Sequence, residues 1–271
     1  MTTTKQHRWF ENAGYSLIEL MVAMLVSTLV VGAVLSMLVS IEEIQRDSQQ
    51  MIDSQQAARI SLDQVQRDLQ MAGVGIAWLV APMPLVVPEV GGGFTVRHNQ
   101  SGVRASLVVD MGGTGADLRV DDAAGFAPGM GIAVYDNAGA LSFVTVTGVN
   151  LGADRISHDG TTKIFTVADG TAVARIETIT YSVDGQDRLL RQVNAEAPEP
   201  LAGNVAAFNV TYWNNSTPSA VFNPATVAQQ LLIQTIQVAL TVETEDPQLN
   251  AVNERQRTLT TQVTPRAIIL S

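Results

Sequence analysis

The chain has 271 residues, 46% of them hydrophobic, and 16 Lys and Arg against 26 Asp and Glu give a formal charge of −10. Because an acidic chain without a basic cluster cannot neutralise phosphates, we exclude nucleic-acid binding through a basic patch. The chain has no cysteine and three widely separated histidines. This composition excludes disulfides and thiolate chemistry, and it disfavours a metal site built from histidine or cysteine.

The N-terminal region contains a long uncharged segment, from Leu20 to Ile41, in which 17 of 22 residues are apolar. A helix of that length spans about 33 Å, enough to cross a bilayer core of about 30 Å. Lys5 and Arg8 precede the segment and Glu42 follows it. Since positive charge stays in the cytoplasm, the N-terminus should be cytoplasmic and the body of the protein should lie beyond the inner membrane. The segment is too long for an ordinary cleaved secretory signal.

Glu19 places a carboxylate directly before this transmembrane segment. At the centre of a membrane helix such a group would cost about 2.5–3.5 kcal/mol. One explanation is that the carboxylate reaches water at the headgroups. Another explanation is that a nearby cation neutralises the carboxylate. Cleavage after Gly14 would give Tyr15 a free α-amine one helical turn from Glu19, and this amine, or that of a neighbouring subunit, could supply the positive charge. The residues alone leave both explanations open.

The string from Gly14 to Val22, GYSLIELMV, resembles the type IV prepilin signature, in which Gly is usually followed by Phe-Thr-Leu-Ile-Glu-Leu. The resemblance implies that residues 1–14 are a leader peptide, removed after Gly14 by a prepilin peptidase that also methylates the new amine of Tyr15. It further implies that Glu19, the fifth residue of the mature chain, pairs with the N-terminus of an adjacent subunit during filament assembly. Tyr in place of Phe and Ser in place of Thr are departures from the signature.

The helix is predicted to continue to Ala72, so that it covers residues 15–72, with Gly73 and Gly75 ending it. Beyond the membrane, positions spaced by three and four residues form one stripe, and the charged residues, Asp68 included, fall off it. This spacing also suits a coiled coil, but two polar positions favour docking on the protein's own sheet. The stripe comprises Ile41, Ile44, Ser48, Met51, Gln55, Ala58, Leu62, Val65, Leu69 and Ala72.

The end of this helix, Arg67 to Gly73 (RDLQMAG), resembles the ending typical of the PilW family of minor pilins, to which pseudopilin J of type II secretion is related. The resemblance implies an α+β pilin fold. In that fold a long N-terminal helix, with its first half embedded in the membrane, packs on a C-terminal antiparallel β-sheet.

The remainder of the chain is predicted to be β-structure. Residues 73–116 form a connecting loop and the first strands, and Trp78 and Leu79 in it could contact a partner or pack within the protein. Residues 117–174 form a small β insertion, and residues 175–271 form the C-terminal antiparallel sheet. The predicted strands are Ser106–Asp110, Leu118–Asp121, Gly131–Asp136, Leu141–Thr147, Lys163–Ala168, Ala172–Val183, Arg188–Val193, Val205–Trp213, Leu231–Glu243 and Gln256–Thr264.

No motif in the chain indicates catalysis. Gly112–Gly115 is followed by neither Gly-Lys-Ser/Thr nor a helix pattern, so we interpret it as a turn rather than a phosphate loop. Asp184–Asp187 lacks the spaced acids of a calcium loop and is better explained as a hairpin turn. We therefore expect no enzyme, no cofactor and no metal.

The sequence predicts a minor pilin of a type IV pilus, located at or near the tip and priming assembly for adhesion, twitching motility or DNA uptake. The implied partners are the prepilin peptidase/methyltransferase, other minor and major pilins, and a tip adhesin. The protein would reside in the inner membrane and then in the pilus fibre. The alternatives are a J-like pseudopilin of type II secretion and a signal-anchored periplasmic binding or enzymatic domain.

Overall fold

A computed structural model describes residues 16–76, 83–214, 224–244 and 255–265. Gly14, Tyr15, Trp78 and Leu79 lie outside the described residues. The chain divides into two compact units, residues 1–50 and 51–271, which are described separately below.

The described elements are one long helix, thirteen strands and one short helix. The helices are α1 (Leu17–Gln70) and α2 (Val227–Gln230). The strands are β1 (Val86–Pro88), β2 (Phe94–His98), β3 (Arg104–Val109), β4 (Leu118–Val120), β5 (Gly131–Tyr135), β6 (Leu141–Asn150), β7 (Arg155–His158), β8 (Ala172–Val183), β9 (Leu189–Val193), β10 (Glu199–Ala202), β11 (Val205–Trp213), β12 (Thr235–Thr244) and β13 (Arg255–Val263).

Helix α1 ends at Gln70, two residues before the predicted end at Ala72. Proline is absent from its 54 residues, so the chain of i to i−4 hydrogen bonds is never interrupted by a missing donor. The amide of Met71 still bonds to the Arg67 carbonyl at 3.1 Å, and Gly73 then takes a φ of 79°. A left-handed residue at this position stops a helix, and glycine adopts it without steric cost.

The main core of the second unit lies between helix α1 and two antiparallel sheets. One sheet runs β1-β2-β8-β9-β10 around the second half of β8, and the other runs β11-β12-β13. The stripe residues Ala58, Leu62, Val65, Leu69 and Ala72 are all buried in this core. The predicted α+β architecture, a long helix packed on an antiparallel sheet, is therefore confirmed. The prediction that Asp68 lies off the buried face is wrong, because this residue is only 4% exposed.

The first half of β8 belongs to a second body. It pairs with β3 on one side and β5 on the other. The pairings β3-β4, β4-β7, β7-β6 and β6-β5 connect these two strands, so the sheet closes on itself. All six pairings are antiparallel, so these strands form a small closed barrel without a free edge. Its interior is a separate apolar core that includes residues 105–111 as well as residues of the 117–174 segment. The largest buried interior residues are Leu118, Ile132, Ile156 and Phe165.

One predicted strand is absent, because residues 161–170 form a loop. Side chains bond to the backbone of this loop: the Asp169 amide donates to Thr166 Oγ1 at 3.3 Å, and Thr171 Oγ1 donates to the Thr166 carbonyl at 2.7 Å. The carboxylate of Asp110 likewise accepts the Val167 amide at 2.7 Å. Hydroxyl and carboxylate side chains compete with a β-ladder in this way. The sequence also did not predict strands β1, β2, β7 and β10 individually.

Candidate functional site

The first unit presents an apolar helical surface with no protein covering it. Every described side chain from residue 16 to residue 42 is exposed, including Leu17 at 78% and Leu29 at 68%. This part of α1 is also long and apolar enough to cross a membrane. A continuous apolar surface of this size in water marks a membrane or protein contact. Lipid or neighbouring apolar helices are therefore the environments that suit it.

Two polar side chains within this apolar surface are satisfied by the helix itself. Thr28 Oγ1 donates to the Met24 carbonyl at 2.7 Å, and Ser40 Oγ donates to the Ser36 carbonyl at 3.1 Å. A hydroxyl bonded four residues back exposes no unsatisfied donor to hydrocarbon. These side chains are thus compatible with a lipid or helix-packed environment.

Glu19 lies in the first turn of α1, and its amide donates to the Ser16 carbonyl at 3.0 Å. A carboxylate at this end of a helix interacts favourably with the helix dipole. Its side chain is exposed and forms no ion pair with any described residue. Since Gly14 and Tyr15 lie outside the described residues, cleavage, methylation and the pairing of Glu19 with an α-amine stay predictions.

In the second unit, a buried ionic cluster attaches the end of α1 to the sheet. Oδ2 of Asp68 accepts a 2.6 Å hydrogen bond from the Tyr181 hydroxyl and a 2.8 Å bond from Nε of Arg191. Oδ1 accepts a 3.0 Å bond from Gln64 Nε2. Burial, reinforced by the Asp68 charge, raises the pKa of Tyr181 far above its ordinary value. Burial tends to lower the pKa of Arg191, but the hydrogen bond and charge of Asp68 raise it overall.

A second polar group lies beside this cluster, on β2 and β8. His98 Nδ1 is 3.2 Å from Glu177 Oε2, and Arg175 Nη2 is 3.4 Å from Glu177 Oε1. The 3.2 Å contact has ion-pair distance without hydrogen-bond angles, so neither ring nitrogen of His98 has a hydrogen-bond partner among the described residues. Burial lowers the pKa of His98, and the charge of Glu177 opposes only part of this shift. Burial therefore favours the neutral form of the ring.

Sequence reasoning missed these residues, although Asp68 gave a usable signal. It lies three residues after Val65 and four before Ala72, which places it on the buried face of α1. A charged residue at such a position needs a buried partner. Tyr181 and Arg191 gave no comparable signal, because only the pairing of β8 with β9 brings them to Asp68.

The two loops considered for ligands are turns, as predicted. In the first, Ala116 N bonds to the Gly113 carbonyl at 3.1 Å, and the Thr114 carbonyl accepts the Thr161 amide at 2.8 Å. In the second, the Asp184 carboxylate accepts the amides of Gln186 and Arg188 and the guanidinium of Arg188 at 2.7 and 2.9 Å. Its oxygens are thus engaged within the hairpin. Among the described residues, no three His, Asp or Glu side chains are grouped so that they could hold a metal ion.

Comparison with known proteins gives a match to a family model and similarity to a solved structure. The model of the prokaryotic N-terminal methylation motif matches residues 10–35. The comparison with curated proteins finds no relative of this chain. A type IV-like pilin from Thermus thermophilus is similar over 79% of this chain and 97% of its own, at 11% identity and a TM-score of 0.36. That similarity is too low to support any argument. With this motif at the start of a long helix that packs on antiparallel sheets, the chain resembles a type IV pilin.

Proposed function

We propose that the protein is a minor pilin of a type IV pilus, similar to the PilW family, that enters the filament at or near its tip and primes assembly. The observation that carries this proposal is the exposed apolar helix from Leu17 to Ile41, which begins within the matched methylation motif. Within that motif Gly14, Tyr15 and Glu19 have the spacing of a prepilin signature. A helix of this kind can serve first as a membrane anchor and then as the packing surface of a filament.

Processing would precede assembly. The chain would insert with its N-terminus in the cytoplasm, and a prepilin peptidase would cut after Gly14 and methylate Tyr15. Mass spectrometry of the N-terminus tests this step. An N-methylated Tyr15 supports the proposal, whereas an intact leader or a different N-terminus supports a signal-anchored periplasmic domain instead.

Assembly would then depend on charge pairing at Glu19. Moving this carboxylate among apolar helices costs about 2.5–3.5 kcal/mol unless a cation accompanies it. The α-amine of a neighbouring subunit's Tyr15 would supply that cation and fix the axial position of the incoming subunit. The β-structure would then contact other minor and major pilins or a tip adhesin, in support of adhesion, twitching or DNA uptake.

The substitution Glu19→Ala tests the assembly step, with Glu42→Ala as the matched control on the same exposed helix. Both variants should appear in the membrane fraction at wild-type levels, because neither change removes apolar surface. Only Glu19→Ala should be depleted from sheared pili, as measured by immunoblotting. Normal recovery of Glu19→Ala in pili would rule out charge pairing as the assembly mechanism.

A J-like pseudopilin of type II secretion is the second candidate, because the RDLQMAG helix end resembles a segment of pilins to which pseudopilin J is related. Deletion of the gene distinguishes the two. Loss of pili with normal exoprotein release selects the pilus, and blocked release with intact pili selects the secretion system.

A further inference from the structure

A short region of the second unit connects the helix, the sheet and the barrel. Strand β8 pairs with β5 as far as Ile176 and with β2 from Glu177 onward, so Glu177 lies where the barrel ends and the sheet begins. His98, the last residue of β2, lies directly opposite Glu177. We call residues 73–76 and 97–103, together with Glu177, the junction.

Backbone hydrogen bonds attach the turn after α1 to the end of β2. The Gly73 amide donates to the Arg97 carbonyl at 2.9 Å, and the Asn99 amide donates to the Val74 carbonyl at 2.7 Å. Both bonds involve a residue next to His98 in the chain. Any movement of His98 out of the strand would therefore disturb the end of the helix as well.

Glu177 attaches the same strand end to the barrel. Its Oε2 accepts the Gln100 amide at 3.1 Å, and its Oε1 lies 3.4 Å from Nη2 of Arg175 on the barrel half of β8. His98 Nδ1 lies 3.2 Å from Oε2 but without hydrogen-bond angles. Each oxygen of the carboxylate therefore already has a partner, while the ring beside it has none among the described residues.

The surroundings of His98 do not favour a positive charge. Its side chain is only 6% exposed. The charged groups facing the ring are Glu177 on β8, Asp68 on α1 and Arg191 on β9; Arg175 adjoins Glu177, and Tyr181 adjoins Asp68. The two carboxylates are thus offset by two guanidinium groups. Among these groups, no net negative charge remains to hold an added proton.

We propose that protonation of His98 opens the junction locally, so that this part of the fold connects the barrel to the helix and sheet in a pH-dependent way. An imidazolium carries a charge and two N–H donors, and it is stable only where acceptors or water satisfy them. The facing carboxylate oxygens already accept other donors, and the ring belongs to a paired strand. Reaching water therefore requires the end of β2 to separate from β8, which breaks the bonds of Asn99 and Gln100. This inference does not depend on the proposed pilin function.

Hydrogen–deuterium exchange of the full chain in detergent, at about pH 7.5 and about pH 5.5, tests the proposal after correction for intrinsic exchange rates. At the amides of Gly73, Asn99 and Gln100, the equilibrium constant for opening should be about three- to tenfold larger at the lower pH. The reason is that the open state takes up a proton with a pKa of about 6.5. Urea at about 1 M separates local from global opening, since only opening that exposes much surface responds to denaturant. The junction amides should exchange faster than those of β12 and should be insensitive to urea, whereas exchange of β12 should accelerate.

Histidine variants identify the group responsible. With His98→Gln, or His98→Asn if circular dichroism shows that glutamine prevents folding, the pH effect at the junction should disappear. His158→Gln is the matched control and should keep the wild-type effect, because His158 lies in the barrel, where Ala116 and Gly160 bond to its two ring nitrogens. The proposal is overturned if acid increases protection at the junction, as an ion pair of His98 with Glu177 would do, or if the His98 variant keeps the pH effect. It is also overturned if the junction amides of the wild-type protein open only together with β12, with the same urea dependence.

Discussion

The hydroxyl of Tyr181 donates a 2.6 Å hydrogen bond to Asp68, joining residues 113 positions apart in the chain. Asp68 also accepts the bond from Arg191 on the neighbouring strand. The end of the long helix is thus attached to β8 and β9 through one buried carboxylate. Because hydrogen bonds to charged groups contribute about 1.5–3 kcal/mol each, this cluster should contribute measurably to stability.

Tyr181→Phe removes only the hydroxyl from this cluster and leaves the aromatic ring packed beside Phe94. We expect the free energy of unfolding to fall by about 1.5–3 kcal/mol, because the bond to a charged acceptor is lost. Urea unfolding of the full chain in detergent measures the change. A loss below about 0.5 kcal/mol would contradict the role assigned to the bond.

Asp68→Ala should cost more, about 3–5 kcal/mol, since it leaves the Arg191 charge without its partner in a half-buried environment. Asp63→Ala is the matched control, because Asp63 is an exposed acid on the same helix. It should change the free energy of unfolding by no more than about 0.5 kcal/mol. Equal effects of the two substitutions in urea unfolding would show that the position of the charge within the core is unimportant.

Tyr212→Phe should have the opposite effect from Tyr181→Phe. The Tyr212 hydroxyl is buried and has no hydrogen-bond partner among the described residues. Its burial raises the pKa of Tyr212. An unsatisfied buried hydroxyl costs about 1–3 kcal/mol, so its removal should leave stability unchanged or increase it. Urea unfolding of the full chain measures the change. A decrease of more than about 1 kcal/mol in the free energy of unfolding would indicate that the hydroxyl has a partner.

Local patterns predicted much of this fold, and long-range pairing accounts for what they missed. The stripe from Ala58 to Ala72 identified the docked face of α1, because helical periodicity is a local signal. The closed barrel was not predicted, because closure depends on β8 pairing with both β3 and β5. Tyr181 and Arg191 were also not predicted as partners of Asp68, because only the pairing of β8 with β9 brings them to it. At the candidate site, the sequence identified Glu19 and its motif, while their proposed partners belong to other chains.

The stability of the protein should decrease on mild acidification, and His98 should be one cause. Burial lowers the pKa of His98, and the charged groups facing it are Glu177, Asp68 and Arg191. An unfolded histidine has a pKa of about 6.5. Between the folded and unfolded pKa values the unfolded chain binds more protons, so the free energy of unfolding rises with pH. The contribution of neutral His98 is present above about pH 6.5 and is lost as the pH falls through its folded pKa.

His98→Gln isolates this contribution, because glutamine does not titrate. Urea midpoints at about pH 7.5 and about pH 5.5 should differ more for the wild-type protein than for the variant. Carboxylates titrate in both proteins, so the comparison cancels their effect. Identical pH dependence in the two proteins would show that His98 is not the group responsible.

Gly93→Ala tests the close approach of β2 to β8. A Cβ at this position would overlap the carbonyl oxygen of Tyr181 and lie 3.2 Å from its carbonyl carbon. Since the obstacle is backbone in a paired strand, with Phe94 opposite Tyr181, the strands would have to separate. We expect a loss of about 1–3 kcal/mol in urea unfolding. Gly113→Ala is the control, because a Cβ there meets nothing within 4 Å and should change stability by less than about 0.5 kcal/mol. If Gly93→Ala were as stable as Gly113→Ala, the spacing between β2 and β8 would have to be wider than the structure shows.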